Sequence, residues 1–300
     1  MSDTTPAKPT KTLQLVSRST YVKEWLLKAL FFSCAFAFVL AVALIFVFVG
    51  WKALPIFTDY GFWKFVSGTK WSASSKEFGI LPLIVGSFLV TLGALVLGTP
   101  LAVGTAVFLS DVASPRVRSF VRPAVELLAG IPSVVYGFFG IIFLRAIIAQ
   151  FSGTLGFGAF TAWIVLAIMI VPTIAALSED ALRSIPEGIR EASYAMGATQ
   201  WQTIYKVVVP AAKIGIIDAI ILGMGRAIGE TMAVLMVVGN APVFPKGIFA
   251  PLSTMTTQIV MDMPYAVGLH RTALFAMAAM LFIFSMLLVA TVRLLSKLRD

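Results

Sequence analysis

Long apolar runs alternate with short polar segments along this chain, and their lengths predict membrane-spanning helices. A helix needs about 20 mostly apolar residues to cross the hydrocarbon core of a bilayer. Six runs reach that length, although charged, glycine or proline residues interrupt some of them: 25–49, 82–109, 122–149, 159–178, 212–238 and 271–292. The pattern predicts an all-α integral membrane protein with six transmembrane helices and with both termini on one side.

The first run, 25–49, is an uncleaved span rather than a signal peptide. The apolar core of a signal peptide has about 7–15 residues, whereas this run is longer and no A-x-A cleavage site follows it. Polar residues 1–24 predict a flexible N-terminal arm. The chain then divides into a first span with an outer loop (25–81), the remaining helical domain (82–295) and a short tail (296–300).

Composition excludes a water-soluble enzyme. Apolar residues make up 59% of the chain and charged residues 12%, against about 45–50% and about 25% in ordinary globular domains. A single histidine, His270, rules out a His-based metal cluster, and a single cysteine, Cys34, allows neither a thiolate metal site nor a disulfide within the chain. An intramembrane enzyme would also lack paired catalytic acids, so no catalytic residue is predicted.

The net charge of +9 reflects membrane topology and not nucleic-acid binding. Lys and Arg lie mostly at the ends of the apolar runs, and no basic stripe is present. Basic residues concentrate in cytoplasmic loops, and the predicted loops on the N-terminal side hold most of them. Four lysines between 52 and 76 dilute the bias. We therefore predict cytoplasmic N- and C-termini.

The predicted outer loops have distinct compositions. Residues 51–80 are rich in Trp, Phe and Tyr, which favour the membrane–water interface. This segment is predicted to lie along the interface, and a docking surface for an extracytoplasmic partner is compatible with that position. Residues 240–270 carry four prolines around a predicted short helix, 254–261, and are too polar and broken to span.

The longest predicted inner loop, 179–211, has the signals of two short helices. Pro186 suits a helix start, and Gly197 is a natural C-terminal stop. Thr199 can cap a second helix over 200–208, which Pro210 then ends. The first helix is amphipathic. It could therefore lie on lipid headgroups, although its residue spacing indicates a more specific role.

That spacing resembles the EAA loop of ABC importer permeases. Glu191-Ala192-Ser193, then Gly197, Val207 and Val209-Pro210, follow the family pattern Glu-Ala-Ala, three residues, Gly, nine residues, Ile, one residue, Leu-Pro. The departures are Ser for Ala, Val for Ile and Val for Leu. The resemblance implies that Glu191, Ala192, Ser193, Gly197 and Pro210 belong to a coupling loop that seats on a separate ATPase subunit.

Nucleotide chemistry is expected on that separate subunit. The chain has no G-x-x-x-x-G-K-[ST] phosphate loop. ATP and Mg²⁺ are therefore predicted to bind the partner ATPase, and no cofactor is predicted for this chain.

Five charged residues lie more than three residues inside the ends of the predicted spans, where charge is expensive and marks functional candidates. Glu126, beside Arg122, together with Arg145 and Asp218, lies near a span end and has an interfacial explanation. Arg226 and Glu230 lie mid-span at i and i+4, on one face of a helix. They predict either an intrahelical ion pair for packing or a gated anion path, in which Glu230 competes with the anion for Arg226.

The third predicted span contains Leu128-Ala-Gly-Ile-Pro-Ser-Val-Val-Tyr-Gly137, in which Gly130 and Pro132 should break the helix. Such a break persists in a membrane only where protein or a water-filled cavity satisfies the freed backbone groups. Ser133 and Tyr136 are then candidates to face a substrate pathway, although helix packing alone would also explain the break.

This decapeptide resembles a motif shared by both permease subunits of phosphate-specific ABC importers. Gly225–Val234 (GRAIGETMAV) and residues 79–92 resemble the C-type subunit of those importers. The resemblance covers about 79–295 and implies the type I, MetI-like permease fold in a bacterial inner membrane. It also implies partnership with an A-type permease, two ATPase subunits, a periplasmic phosphate-binding protein and membrane lipid, with no nucleic acid. Importers of sulfate or molybdate share the EAA loop and stay an alternative. An ion-coupled secondary transporter would leave that loop unexplained.

Overall fold

The computed structural model describes residues 18–297, and most of them are helical. Within this described part, five helices are long and apolar enough to cross a membrane, and a pair bent by 68° supplies a sixth candidate. The predicted all-α membrane architecture is confirmed. Residues 1–17 of the predicted arm and 298–300 of the predicted tail lie outside the described part.

Between residues 18 and 297, fourteen α-helices follow one another, with short π-helical segments next to several of them. Their bounds are α1 Arg18–Pro55, α2 Phe62–Ser67, α3 Leu81–Val107, α4 Pro115–Ala129, α5 Ser133–Phe139, α6 Arg145–Ser152, α7 Ala159–Arg183, α8 Glu187–Ala195, α9 Gln200–Thr203, α10 Val209–Ala211, α11 Lys213–Gly229, α12 Met232–Val237, α13 Met255–Asp262 and α14 Gly268–Lys297. A two-stranded antiparallel hairpin pairs β1 (Trp71–Ser72) with β2 (Glu77–Phe78).

Contacts divide the chain into two units, residues 1–48 and 49–300. The described part of the first unit is helical and begins at Arg18, before the predicted start at residue 25. From Ala29 to Phe48 it carries no charged residue and is apolar around its circumference, which is typical of a membrane span. Phe32 and Phe36, one turn apart, stack within it.

The second unit has a centre formed by α3, α7 and α11. Small residues let these helices approach closely: a Cβ on Gly93 would lie 2.0 Å from the Trp163 ring, and one on Gly223 would lie 2.5 Å from Ile174. The indole nitrogen of Trp163 donates to the Leu89 carbonyl. Fully buried Leu166, Met169 and Ile170 of α7 fill the space between these helices.

The aromatic segment 51–80 packs only in part. Trp51 and Trp63 are 73% and 76% exposed, as an interfacial position requires. Phe65, Trp71 and Phe78 are instead buried against α3 and α14 and form a second core. The hairpin is therefore a packed element of the predicted outer side.

The third span begins later than predicted. The sequence suggested 122–149, but α4 is a separate amphipathic helix, and the span runs from Ser133 to Ser152. Gly130 and Pro132 separate the two, so the predicted break is confirmed. Pro132 has an extended ψ of 137°, which a helix does not tolerate.

The fifth span is broken, which contradicts the continuous helix predicted over 212–238. Helix α11 ends at Gly229, Glu230 is extended with ψ of 129°, and α12 starts at Met232. The short helix predicted at 254–261 is confirmed as α13.

Candidate functional site

The break in the third span lies beside the break in the fifth. A Cβ on Gly137 would lie 2.6 Å from Met236 Sδ, and one on Gly140 would lie 2.6 Å from Val237, so α5 and its π-helical extension rest directly on α12. These glycines remove the bulk that would separate the two helices. The two sequence segments singled out above therefore form one structural region.

Tyr136 satisfies a backbone group freed by the first break. Its hydroxyl donates to the Leu128 carbonyl at 2.7 Å, and its side chain is buried. This bond joins α5 to the last turn of α4, across Gly130 and Pro132. Tyr136 therefore holds the break together, and Ser133, half-buried at the start of α5, lies on the rim of the same break.

Arg226 reaches the same break from α11. One guanidinium nitrogen donates to Thr173 Oγ1 of α7 at 3.0 Å, and another donates to the Ala129 carbonyl at 3.4 Å. Arginine carries five N–H donors in a planar fork. These two bonds orient the fork and leave donors for an anion. Thr173 was not predicted, because nothing local in the apolar run 159–178 marks it as a partner of Arg226.

Glu230 is the first residue after α11, so the continuous helix predicted to carry both Arg226 and Glu230 ends between them. Because the helix ends at Gly229, the Glu230 side chain turns to the next helix and accepts a bond from the Ala233 N–H at 3.0 Å. Arg226 and Glu230 form no ion pair, as judged from these two described side chains. Glu230 instead satisfies the first turn of α12, where a carboxylate is favourable.

One side of α11 is open beside this region. A Cβ built on Gly225 or Gly229 would meet nothing within 4 Å. Glycine exposes its backbone, and these two lie on either side of Arg226 in the sequence. The region therefore offers an oriented guanidinium, exposed glycine positions and the ends of two broken helices, which together suit a small oxyanion.

The other charged residues of the predicted spans lie elsewhere. Arg122 pairs with Glu126 at 3.1 Å, as expected for a pair that reaches water. Arg145 places its guanidinium 4.9 Å from the Phe157 ring centroid. Asp218 is exposed. None of them contributes to the region around Arg226.

The predicted two-helix loop is confirmed in detail. Gly197 has a φ of +81°, a left-handed conformation that glycine adopts without strain. Thr199 and Gln202 form a reciprocal capping box at the start of α9. The second helix passes Pro210 and ends at Ala211, slightly later than predicted, because proline is tolerated in the first turn of α10.

Ser193 explains the departure from the Glu-Ala-Ala pattern. It is buried, and its hydroxyl lies 2.9 Å from that of Thr203, which ties α8 to α9. The apolar side chains of the loop face outward: Met196 is 83% exposed, and Ile189, Trp201 and Tyr205 are also exposed. An exposed apolar surface of this kind is typical of a protein interface.

Arg190 and Gln200 fasten this loop to the bundle. Arg190 pairs with the buried Asp111, just beyond α3, and donates to the Leu182 carbonyl of α7 at 2.9 Å. Gln200 donates to the Asp111 carbonyl at 2.8 Å. Both helices of the loop are therefore held against the ends of two spans.

A second charged cluster lies nearby, around the fully buried Glu179 of α7. Arg122, Arg183 and Arg118 approach its carboxylate at 3.5, 3.6 and 3.9 Å. The bond to Glu126 is the main cause that raises the pKa of Arg122 above its usual range, and Glu179 and Asp180 add to it. Arg122 therefore keeps its charge and attaches α4 to α7.

These features define a polytopic membrane permease with a central arginine between broken helices and an attached two-helix loop. Residues 98–299 match the family described as "binding-protein-dependent transport system inner membrane component". The chain belongs to this family of importer permeases and is a multi-pass protein of the inner membrane.

Named relatives are similar over most of the chain. A probable ABC transporter permease protein, YqgH of Bacillus subtilis, is 41% identical over 275 residues, covering 89% of each chain. The phosphate transport system permease protein PstC of Pasteurella multocida is 34% identical over 286 residues, covering 88% of each.

A solved structure confirms the predicted fold. The bacterial ABC transporter for import of the acidic polysaccharide alginate superimposes with a TM-score of 0.64 and 16% identity, covering 93% of this chain and 97% of that one. The fold is that of type I, MetI-like ABC importer permeases.

Proposed function

We propose that this chain is the C-type permease subunit of an ATP-driven importer and translocates inorganic phosphate. The observation that carries the proposal is the Arg226 guanidinium, oriented by Thr173 and Ala129 where two broken helices meet. A planar guanidinium binds phosphate oxygens through paired, charge-assisted hydrogen bonds. Relatives named as phosphate permeases, such as that of Pasteurella multocida, support this substrate.

Four residues line or shape the proposed pathway in different ways: Arg226, Glu230, Ser133 and Tyr136. Arg226 attracts the anion, and the open backbone at Gly225 and Gly229 lets it approach. Tyr136 and Glu230 keep the two breaks in shape through bonds to Leu128 and Ala233. Glu230 acts by capping α12 rather than by competing directly for Arg226. Ser133 contributes a hydroxyl at the rim.

The exposed apolar side of the loop 179–211 seats on an ATPase subunit. Ile189 and Met196 are the anchors of this contact, and Glu191, Ala192, Ser193, Gly197 and Pro210 build the loop. Two such ATPase chains bind ATP and Mg²⁺, while this chain hydrolyses nothing. Closure of the ATPase pair moves α8, and Arg190 passes the movement to α3 and α7.

The remaining partners follow from the family. An A-type permease completes a heterodimer, and a periplasmic phosphate-binding protein delivers the anion to the outer loops. Both termini then lie in the cytoplasm, as the positive charge on that side favours. ATP and the loaded binding protein must each prefer one conformation of the permease, since a ligand shifts an equilibrium only through differential affinity.

Another oxyanion, sulfate or molybdate, is the second candidate, because a guanidinium also binds these tetrahedral anions. The deciding experiment measures uptake of labelled phosphate and labelled sulfate in cells that lack their own high-affinity systems and carry this chain with its neighbouring subunits. ATP and the proton gradient are depleted separately.

Phosphate uptake that follows ATP and is lost in Arg226→Gln is the expected result. Sulfate uptake without phosphate uptake would replace the substrate and keep the architecture. Uptake that follows the gradient would indicate a secondary transporter. Arg226→Lys serves as the matched variant, because it keeps the charge and loses the fork, and its uptake should fall between wild type and Arg226→Gln.

A further inference from the structure

Helix α13 lies between the predicted outer side and the break at Glu230. Thr254 and Thr257 form a reciprocal capping box at its start. The first four residues of α13, Met255 to Gln258, are buried. A helix of this length extends about 12 Å as a stiff unit. Its two ends are bonded to different parts of the permease.

The first end is bonded to the break and to α3. The Thr256 hydroxyl donates to the main-chain carbonyl of Glu230 at 3.1 Å. The Met255 N–H donates to Ser87 Oγ of α3 at 2.9 Å, and a Cβ on Gly86 would lie 2.2 Å from the Ser253 carbonyl oxygen. The Glu230 carbonyl lies outside a helix, so Thr256 satisfies a group that would otherwise be unpaired.

At the second end of α13, a single carboxylate oxygen connects this helix to two other segments. Asp262 Oδ2 accepts from Trp71 Nε1 of the hairpin at 2.7 Å and from Gln258 Nε2 of α13 at 2.9 Å. His270 Nε2, near the start of α14, lies 3.0 Å away. The His270 ring stacks on Phe78 with a centroid separation of 5.4 Å. Asp262 therefore connects the outer hairpin, α13 and α14.

We infer that α13 is a strut that carries the position of the outer junction at Asp262 to the chain break at Glu230, with Thr256 as the positioning residue at the contact. A shift of the hairpin or of the start of α14 moves Asp262, and the stiff helix moves Thr256 with it. The Glu230 carbonyl and the first turn of α12 follow. This deepens the proposed function, because the break lies beside the proposed anion path.

The test reports the exposure of the break without using any substrate. A cysteine at Gly229, where a side chain has open space, is introduced together with Cys34→Ser. The full importer, reconstituted in lipid nanodiscs without phosphate and without binding protein, is treated with a thiol reagent, and the labelling rate is measured. Gly104→Cys on α3, also in open space, is the control reporter.

Thr256→Val and Asp262→Asn should each change labelling at position 229 by about fivefold, the effect of one typical hydrogen bond. Thr256→Ser, which keeps the hydroxyl, should label at the wild-type rate. The double variant should differ little from either single one, because the two contacts act in series. Labelling at position 104 should stay constant, and so should labelling at 229 in Thr272→Val, whose hydroxyl bonds only within α14.

Trp71→Phe removes one donor from Asp262 while keeping an aromatic ring, and it replaces Asp262→Asn if that variant fails to assemble. Unchanged labelling in Thr256→Val, or fully additive effects in the double variant, would overturn the inference that α13 connects Asp262 mechanically to the break at Glu230. The outcome is independent of the anion transported. A sulfate importer would still show the labelling change, and loss of phosphate uptake would leave it intact.

Discussion

The hydroxyl of Thr173 lies 3.0 Å from a guanidinium nitrogen of Arg226, so the fourth span orients the central cation of the fifth. Thr173 follows Pro172, within α7. A long arginine side chain otherwise loses substantial rotamer freedom when it binds an anion. Thr173 and the Ala129 carbonyl hold the Arg226 guanidinium in place before the anion binds, which lowers that entropic loss.

Thr173→Val is expected to weaken phosphate transport without removing it. Valine has nearly the same shape as threonine but lacks the hydroxyl oxygen that accepts the hydrogen bond from Arg226. A hydrogen bond between membrane helices contributes about 0.6 kcal/mol on average and up to about 1.7 kcal/mol. The KM for phosphate uptake should therefore rise several-fold, at equal protein level, and Thr173→Ser should restore it. An unchanged KM in Thr173→Val would mean that Thr173 only packs.

The two helix breaks show what the sequence can and cannot predict. Gly130 and Pro132 break the third span through their own backbone preferences, so the break was predictable. The break at Glu230 has no proline and is held by Thr256 and Ala233, from two other elements. Spacing rules assume a continuous helix, and for that reason they did not predict that Glu230 accepts a bond from the first turn of α12.

The loop 179–211 was predictable because its signals are local. Pro186, Gly197 and Thr199 each act on the nearest turn, and the structure shows all three in those roles. The partners that attach the loop were not predictable, since Asp111 lies 79 positions away from Arg190. Distant contacts of this kind, and that between Thr173 and Arg226, depend on packing that no periodicity encodes.

Substituting alanine for each of two glycines of α3 should change the thermal midpoint of the permease differently. At Gly93 a Cβ would lie 2.0 Å from the Trp163 ring, whose indole is fixed to the Leu89 carbonyl. Overpacking of this kind costs about 1–3 kcal/mol. Gly93→Ala should therefore lower the thermal midpoint of the purified permease, measured in detergent.

Gly104→Ala is the matched control, because it lies on the same helix and its Cβ would meet nothing within 4 Å. Its thermal midpoint should equal that of the wild type or rise slightly, since alanine favours helix by up to about 1 kcal/mol over glycine. Equal destabilisation by both variants would contradict the close packing of α3 on α7 and indicate a general sensitivity of that helix.

Glu179→Gln should loosen the attachment of α4 to α7. The buried carboxylate faces Arg118, Arg122 and Arg183, and its neutral replacement removes the negative charge that the three guanidiniums share. Of the three, Arg122 keeps Glu126 and Asp180 as partners. Removing one partner of a fully buried pair costs about 3–5 kcal/mol. The arginines are 24–45% exposed, so solvent screening reduces the expected loss to roughly 2 kcal/mol.

The control for this prediction is Glu126→Gln, which removes a 55% exposed partner of Arg122. Its effect should stay within about 1 kcal/mol. Protease accessibility of α4 measures the attachment directly, with faster cleavage expected in Glu179→Gln alone. Similar cleavage of both variants would show that Glu179 does not hold α4.

Neutralising Asp111 or Arg190 alone should lower stability and transport more than neutralising both residues together. The Asp111 and Arg190 side chains are 4% and 11% exposed, so each single variant leaves a nearly buried charge without its partner. Asp111→Asn and Arg190→Gln should each destabilise the permease by about 2–3 kcal/mol and lower the phosphate transported per ATP hydrolysed. The double variant should recover part of both losses, with a coupling energy of about 1 kcal/mol or more.

Glu187→Gln tests whether an exposed carboxylate beside Arg190 contributes to stability as the buried Asp111 does. Glu187 lies 3.8 Å from the Arg190 guanidinium, but its side chain is 76% exposed, so its removal should change stability by less than about 1 kcal/mol. Transport and ATP hydrolysis are measured together in proteoliposomes, because a loosened loop lets hydrolysis continue while transport falls. Strictly additive effects of Asp111→Asn and Arg190→Gln would mean that the pair does not act as one unit, and that the loop moves the spans through its packing alone.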